Sequence, residues 1–148
     1  MCTIIKKLEL ETISGYKIVA HKDGNFYSTF TSQKYEIGKP IKGITNSSRT
    51  MSDFWTSAIN LKLAKIKKQP FFKKMFVHKT AVFHDRDIAF NMGEKIAHAL
   101  HTLYKDYDIV LVKMTLTGDI YSGEYEYADV YAGTLIKKIE VLHTFQKQ

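Results

Sequence analysis

The chain has 148 residues, of which 45% are hydrophobic and 13% aromatic, and its formal net charge is +7 at pH 7. This is enough apolar material for one hydrophobic core, and no Pro-, Gly- or Ser-rich run divides the chain, so we expect one domain over residues 1–148. No apolar run approaches the roughly 20 residues that span a bilayer, and no signal-peptide core is present, so we expect a soluble, cytoplasmic protein that does not bind a membrane.

The first part of the chain predicts short strands. Residues 8–13 alternate apolar and polar side chains, Ser14-Gly15 predicts a break, and residues 16–20 resume the strand pattern. Asp23-Gly24 is a pair favoured in tight hairpins, where the backbone needs positive φ, and residues 26–30 supply the returning strand.

Residues 52–68 fit two structures. Ser52 is a suitable cap for a second helix, whereas Ile59, Leu61 and Leu63 alternate with polar residues as in a strand. Pro70 ends whichever element forms. Residues 80–83 are then predicted to be extended.

The clearest prediction is a long amphipathic helix over residues 85–104. Asp85 can accept hydrogen bonds from the first-turn amides. The residues after it recur with a helical apolar period: Ile88, Ala89, Met92, Ile96, Ala97, Leu100, Leu103 and Tyr104. Such an apolar face must pack on another element.

Residues 109–116 predict a central strand. One alternating set is apolar throughout, whereas the other is apolar only at Ile109 and Leu111, so we expect one face to be buried along the whole strand and the other only at its start, with the helix packed against the strand. Gly118-Asp119 predicts a bend, residues 121–127 an aromatic and acidic turn, and residues 128–131 and 135–142 two further strands. The order of elements predicts an α+β fold with a mixed or mainly antiparallel sheet.

The strongest functional signal is a lysine-rich segment between Phe54 and His84, which contains no Asp or Glu. Lysines attract phosphates without reading sequence, and interleaved aromatic rings can stack on bases. The pattern therefore predicts a surface for an anionic partner, either nucleic acid or an acidic host protein, with a nucleotide as a further possible ligand. The candidate binding residues are Lys62, Lys65, Lys67, Lys68, Lys73, Lys74, Lys79, Trp55, Phe71 and Phe72. An ordinary solvated face with its aromatic residues in the core fits the same pattern.

A second candidate site is acidic. Glu124 and Glu126 lie on one face if their segment is a strand, where they could act as acid and base beside Tyr121 or hold ribose hydroxyls. The alternative is a charged strand edge that prevents unwanted pairing. The six histidines and the single Cys2 form no metal motif, so we expect no metal site.

Several motifs, in chain order, carry two resemblances. They are Gly15-Tyr16-Lys17, Phe26-Tyr27-Ser28, Tyr35-Glu36-Ile37-Gly38-Lys39, Val82-Phe83-His84 and the stretch 112–119. Their succession resembles small bacteriophage accessory proteins. It is also similar to the rifampin-type ADP-ribosyltransferases, in which such strands and a helix build an NAD cleft.

The second resemblance implies an NAD cleft near Tyr27, His84, Tyr121 and Glu124. That family has a His near its first strand and an aromatic hydroxyl near its second, and this chain has neither there; Glu124 or Glu126 can occupy the acidic position. The missing groups favour binding over catalysis, and no cofactor is expected. We therefore expect a phage-type protein that binds and inhibits a host defence or nucleic-acid-handling system. The alternatives are an ADP-ribosyltransferase-like NAD enzyme and a non-catalytic sponge for a cyclic nucleotide.

Overall fold

Two long antiparallel strands form the middle of the fold. The computed structural model describes residues 2–29, 32–41, 78–125 and 128–147, which form an α+β fold with one large antiparallel sheet and one helix, as the sequence predicts. The elements are β1 (Cys2–Leu8), β2 (Thr12–Lys22), β3 (Asn25–Ser28), β4 (Thr80–Phe83), α1 (Arg86–Leu103), β5 (Asp108–Tyr125) and β6 (Ala128–Phe145). The possible second helix, residues 52–68, lies outside the described residues.

The sheet curls back on itself. Its strand order is β1-β5-β6-β4-β2-β3, and β2 also pairs with β5. One edge of β5 therefore pairs with β6 along most of its length, while the other edge pairs first with β2 and then with β1. At the far edge of β6, β4 meets β2 through the pair Tyr16 and Phe83. The four strands β2, β5, β6 and β4 thus form a ring.

Irregularities in the β5–β6 pairing allow this curvature. The register shifts at three places, one of them around Gly118, whose φ is +80°. The Asp119 amide there donates a hydrogen bond of 2.9 Å to the Thr134 hydroxyl, which replaces a missing strand partner. The strand bends at this position without ending. The turn predicted over residues 121–127 is therefore wrong as far as Tyr125, where β5 ends, and residues 126–127 lie outside the described part of the chain. Residues 128–131 and 135–142 are strand as predicted, but they belong to one unbroken strand, β6.

The predicted break at Ser14-Gly15 is also wrong, because β2 runs straight through it. A Cβ at Gly15 would lie 2.6 Å from the backbone oxygen of Phe83, so glycine serves here to let β4 approach. The predicted strand over residues 8–13 is interrupted: β1 ends at Leu8, β2 begins at Thr12, and residues 9–11 connect the two. Its alternation has no buried side, since Leu10 is 48% exposed.

The predicted Asp-Gly hairpin is confirmed. Asp23 and Gly24 have φ values of 51° and 77°, and Lys22 pairs with Asn25 across the turn. Positive φ at both central residues matches the twist of the two strands. The hairpin places β3 at the end of the sheet.

Each face of the sheet has its own core cluster. The helix cluster is Ile18, Ala20, Ala89, Ala97, Leu100, Tyr104, Ile109, Leu111 and Phe145. The inner cluster is Val19, Val82, Val110, Val112, Met114, Leu116 and Ile136. The alternation predicted for β5 is thus confirmed, with the helix on the Ile109 and Leu111 face.

Helix α1 begins at a side-chain cap and lies close to the sheet. The Asp85 carboxylate accepts hydrogen bonds from the amides of Asp87 and Ile88, at 2.8 and 3.2 Å. Gly93 faces Phe145 so closely that a Cβ there would overlap the ring. Among the described residues, no helix is both long enough and apolar enough to cross a bilayer.

Candidate functional site

A groove of about 490 Å³ opens between the β2–β3 hairpin, the segment after β3, and β6. Its charged lining residues are Lys34, Lys39, Lys137, Lys138 and Glu36. Its aromatic lining residues are Phe26 and Tyr35. We call this feature the basic groove.

The walls of the basic groove are fixed by backbone hydrogen bonds. After β3 the chain crosses to β6: the Tyr35 amide donates to the Phe26 carbonyl at 2.8 Å, and the Gly38 amide donates to the Ile136 carbonyl at 2.9 Å. Gly38 has a φ of +76°, which makes the turn between these contacts possible. Lys34 and Lys39 therefore lie on one wall, and the β6 lysines lie on the other.

The basic groove has an excess of positive charge. Its lining contains four lysines and one carboxylate, Glu36, which lies 3.5 Å from Lys39. Lys138 lies 3.1 Å from Glu140, and the side chains of both pairs are largely exposed. Exposed pairs of this kind contribute little and exchange readily with solvent ions. An anionic ligand can therefore compete for these lysines.

The aromatic residues of the groove are only partly buried. The Phe26 ring stacks on His21, with centroids 4.6 Å apart and an interplanar angle of 17°. The Tyr35 hydroxyl lies 3.5 Å from the Thr80 hydroxyl, which acts as donor. Both rings also touch the inner cluster. Contact with the inner cluster thus holds both rings in place, while their remaining surface contributes to the groove.

Most of the lysine-rich surface predicted from sequence lies outside the described residues. This applies to Lys62, Lys65, Lys67, Lys68, Lys73, Lys74, Trp55, Phe71 and Phe72, and also to Glu126. Lys79 is described, and its ammonium group lies 5.1 Å from the centroid of the Tyr121 ring. That distance fits a cation–π contact.

The predicted nucleotide-cleft residues do not share one cleft. Tyr27 pairs with Ala20, which pairs with Ile109 at the start of β5, whereas Tyr121 and Glu124 lie near its end. Twelve residues separate Ile109 from Tyr121, or roughly 40 Å along the strand. Tyr27 is packed instead against Tyr107, with ring centroids 5.4 Å apart.

His84 and Glu124 do come near each other. The His84 amide donates to the Asp129 carbonyl at 3.0 Å, and Asp129 pairs with Glu124 across β5 and β6. The His84 ring contacts Tyr131, with centroids 5.4 Å apart. Tyr121 is three residues from Glu124 and so points to the other face of β5. At this end of the sheet Glu124, Asp129 and His84 lie in one row across three neighbouring segments, with Asp129 in the middle, and the tyrosine predicted to assist Glu124 is on the other face.

Helix α1 carries two histidines, His98 and His101. Within the described segments, no three His, Cys, Asp or Glu side chains are placed to hold a metal ion. Both ring nitrogens of His101 are buried and have no hydrogen-bond partner among the described residues. Burial, and then the positive charge of Lys147, lowers the pKa of His101. Protonation of His101 therefore affects the stability of the folded protein.

Tyr104 is another buried titratable group outside the groove. Its hydroxyl donates to the Ser28 carbonyl at 3.2 Å and lies 3.0 Å from the Ser32 hydroxyl. Burial raises the pKa of Tyr104 to about 12. The phenol thus stays protonated and ties the end of α1 to the end of β3.

Sequence reasoning did not select the groove lysines. Lys34 and Lys137 are about a hundred positions apart, and each local pattern is that of an exposed lysine. Only the Lys137-Lys138 pair within a strand was a visible signal. The site depends on the crossing of residues 32–41 from β3 to β6, which no local pattern predicts.

Fold and site together define an α+β protein with a curled antiparallel sheet and a basic, partly aromatic groove. Comparison of the chain with protein-family models, curated proteins and solved structures gave no match.

Proposed function

We propose that this protein acts by binding an anionic partner at the basic groove, rather than by catalysing a reaction. The observation that carries this proposal is the lining of the groove, which contains four lysines and only one carboxylate among the described residues. The net charge of +7 has the same sign. Lysine charge on an open surface accelerates encounter with an anion, and this effect weakens as salt is added.

The aromatic rings give the groove contact area that charge alone lacks. Phe26 and Tyr35 lie among the lysines. The Phe26 ring stacks on His21, and a backbone hydrogen bond joins Tyr35 to Phe26, so the positions of both residues are fixed. A preformed contact surface reduces the entropy lost on binding. The lysine-rich segment between Phe54 and His84 adds positive charge to the same molecule.

The biological setting that we propose is the one implied by the motif resemblance. In it, the protein is a bacteriophage accessory protein that inhibits a host defence or nucleic-acid-handling system. Inhibition follows if the groove occupies the nucleic acid on which that system acts, or an acidic surface of one of its proteins.

The test is a pair of charge-matched variants. Lys34→Glu with Lys137→Glu changes opposite walls of the groove, whereas Lys95→Glu with Lys105→Glu changes exposed positions in and after α1. Both variants lower the formal charge from +7 to +3, since each change removes two units. We expect the groove variant to elute from immobilised heparin at lower salt than the control variant. Equal elution of the two would contradict a role for the groove.

A second candidate function rests on the row formed by His84, Asp129 and Glu124. Glu124 is the acid that the resemblance assigns to an NAD-dependent transferase site, whereas His84 stands in the segment where that family has an aromatic hydroxyl. Incubation with labelled NAD and host lysate tests it. Transfer of label that is lost in Glu124→Gln would favour catalysis, and no transfer would exclude it.

A third candidate function is a sponge that sequesters a cyclic nucleotide without turnover, with the basic groove as its binding site. The groove volume of about 490 Å³ is within the usual range for small-ligand sites. Thermal stabilisation by a cyclic nucleotide, with recovery of intact ligand, would support this role. The absence of any shift at saturating ligand would exclude it.

A further inference from the structure

We infer that the partner of the basic groove is single-stranded nucleic acid, with an unpaired base against Phe26 and the adjoining phosphates on Lys34 and Lys137. This inference rests on the proposed anion-binding function and specifies its ligand. It is carried by the placement of aromatic rings and lysines within one groove.

Phe26 provides an aromatic surface in the groove. Its ring lines the groove, is only partly buried, and is held parallel to His21 at a centroid distance of 4.6 Å. His21 thus covers one face of the ring and fixes its orientation, and a base that enters the groove would stack against the remaining surface of the ring. Stacking of a base on an aromatic side chain tolerates any sequence, because every base has a π face.

The size of the groove favours one strand over two. At about 490 Å³, its volume suits a small unit such as one nucleotide. In a duplex, the bases are stacked inside and the phosphates face outward, so a duplex reaches the exposed lysines without reaching Phe26 or Tyr35. A single strand can satisfy both kinds of contact at once.

The lysines determine how salt affects binding. Lys34 and Lys137 are exposed, belong to opposite walls, and form no ion pair with a described carboxylate. Each phosphate that such a lysine neutralises on a single strand adds about 0.7 to the slope of log affinity against log salt. Removing both lysine charges should therefore lower the slope by about 1.4.

The experiment measures fluorescence anisotropy of labelled oligothymidine, alone and annealed to oligoadenine, over a range of salt. We expect the unmodified protein to prefer the single strand. Phe26→Leu should weaken single-strand binding about 10-fold and duplex binding much less, while Phe26→Tyr restores single-strand binding because it keeps the ring. Lys34→Gln with Lys137→Gln should reduce the slope, whereas Lys95→Gln with Lys105→Gln should leave it unchanged.

The outcomes separate the inference from the function on which it rests. A protein that binds heparin but prefers the duplex, or whose lysine and Phe26 variants all bind oligothymidine normally, would overturn the inference and leave anion binding intact. A protein that binds neither heparin nor either oligonucleotide would overturn both. If Phe26→Leu fails to fold, the strand preference and the exposed lysine variants still decide the result.

Discussion

The Lys17 ammonium group donates a hydrogen bond of 2.8 Å to the backbone carbonyl of Ala81. This contact joins β2 to β4. In the described part of the chain, these two strands pair with each other at one position, Tyr16 with Phe83. The carbonyl lies on the edge of β4 that faces away from β6, and Ala81 is buried, so Lys17 replaces a missing strand partner. One side chain thus helps to hold the sheet in its curled form.

Replacement of Lys17 by methionine should destabilise the protein. Methionine keeps most of the apolar stem but leaves the Ala81 carbonyl without its donor, which we expect to cost about 1–2 kcal/mol of unfolding free energy. Urea denaturation measures the change. Lys95→Met, at an exposed position on α1, should change stability by less than about 0.5 kcal/mol. Equal effects of the two would mean that the Lys17 bond does not stabilise the junction.

Gly93 provides a test in which two effects oppose each other. Alanine is favoured over glycine within a helix by about 1 kcal/mol. Its Cβ would, however, overlap Cζ of the Phe145 ring and lie 2.7 Å from Cε2 of that ring and 2.8 Å from the end of Ile18, and both side chains are buried. Overpacking of a core costs about 1–3 kcal/mol, so we expect Gly93→Ala to lower stability overall.

The matched control for Gly93 is Asn91→Ala on the exposed side of α1, which should be neutral or slightly stabilising. Thermal unfolding of both variants measures the difference. A more stable Gly93→Ala protein would show that the helix does not pack against β6 as closely as described.

The curled sheet and the basic groove differ in how much of them the sequence predicts. The Asp85 cap and the alternation of β5 were predictable because each depends on residues within a few positions of one another. Gly15 was misread because glycine serves both turns and close strand contacts, and only the tertiary neighbours distinguish the two uses. The groove unites Phe26, Tyr35 and Lys137, whose proximity arises from the path of the chain.

The pKa of His101 predicts a pH dependence of stability. Burial has the largest effect on the pKa of His101 and lowers it. The positive charge of Lys147 and the neighbouring His98 also lower this pKa, whereas Asp108 raises it. The unfolded chain then binds a proton at higher pH than the folded protein does. Stability should therefore fall as the pH drops below about 6.5, the ordinary His value.

Urea midpoints at about pH 5 and about pH 7.5 measure this dependence. In His101→Leu the loss at low pH should be smaller, because an apolar side chain has no proton to bind and no unpaired ring nitrogens. His84→Leu, which changes an exposed histidine outside the helix, is the control. An identical pH dependence in His101→Leu and the unmodified protein would assign the effect to other groups.

The central claim, that the basic groove is the anion site, is tested most directly by nuclear magnetic resonance. Oligothymidine titrated into ¹⁵N-labelled protein should shift the amide signals of Lys34, Lys39 and Lys138 first and most strongly. The signals around Asp129 and Glu124, near the end of β5, should move little. Shifts confined to that end of the sheet, with the groove amides unchanged, would contradict the account.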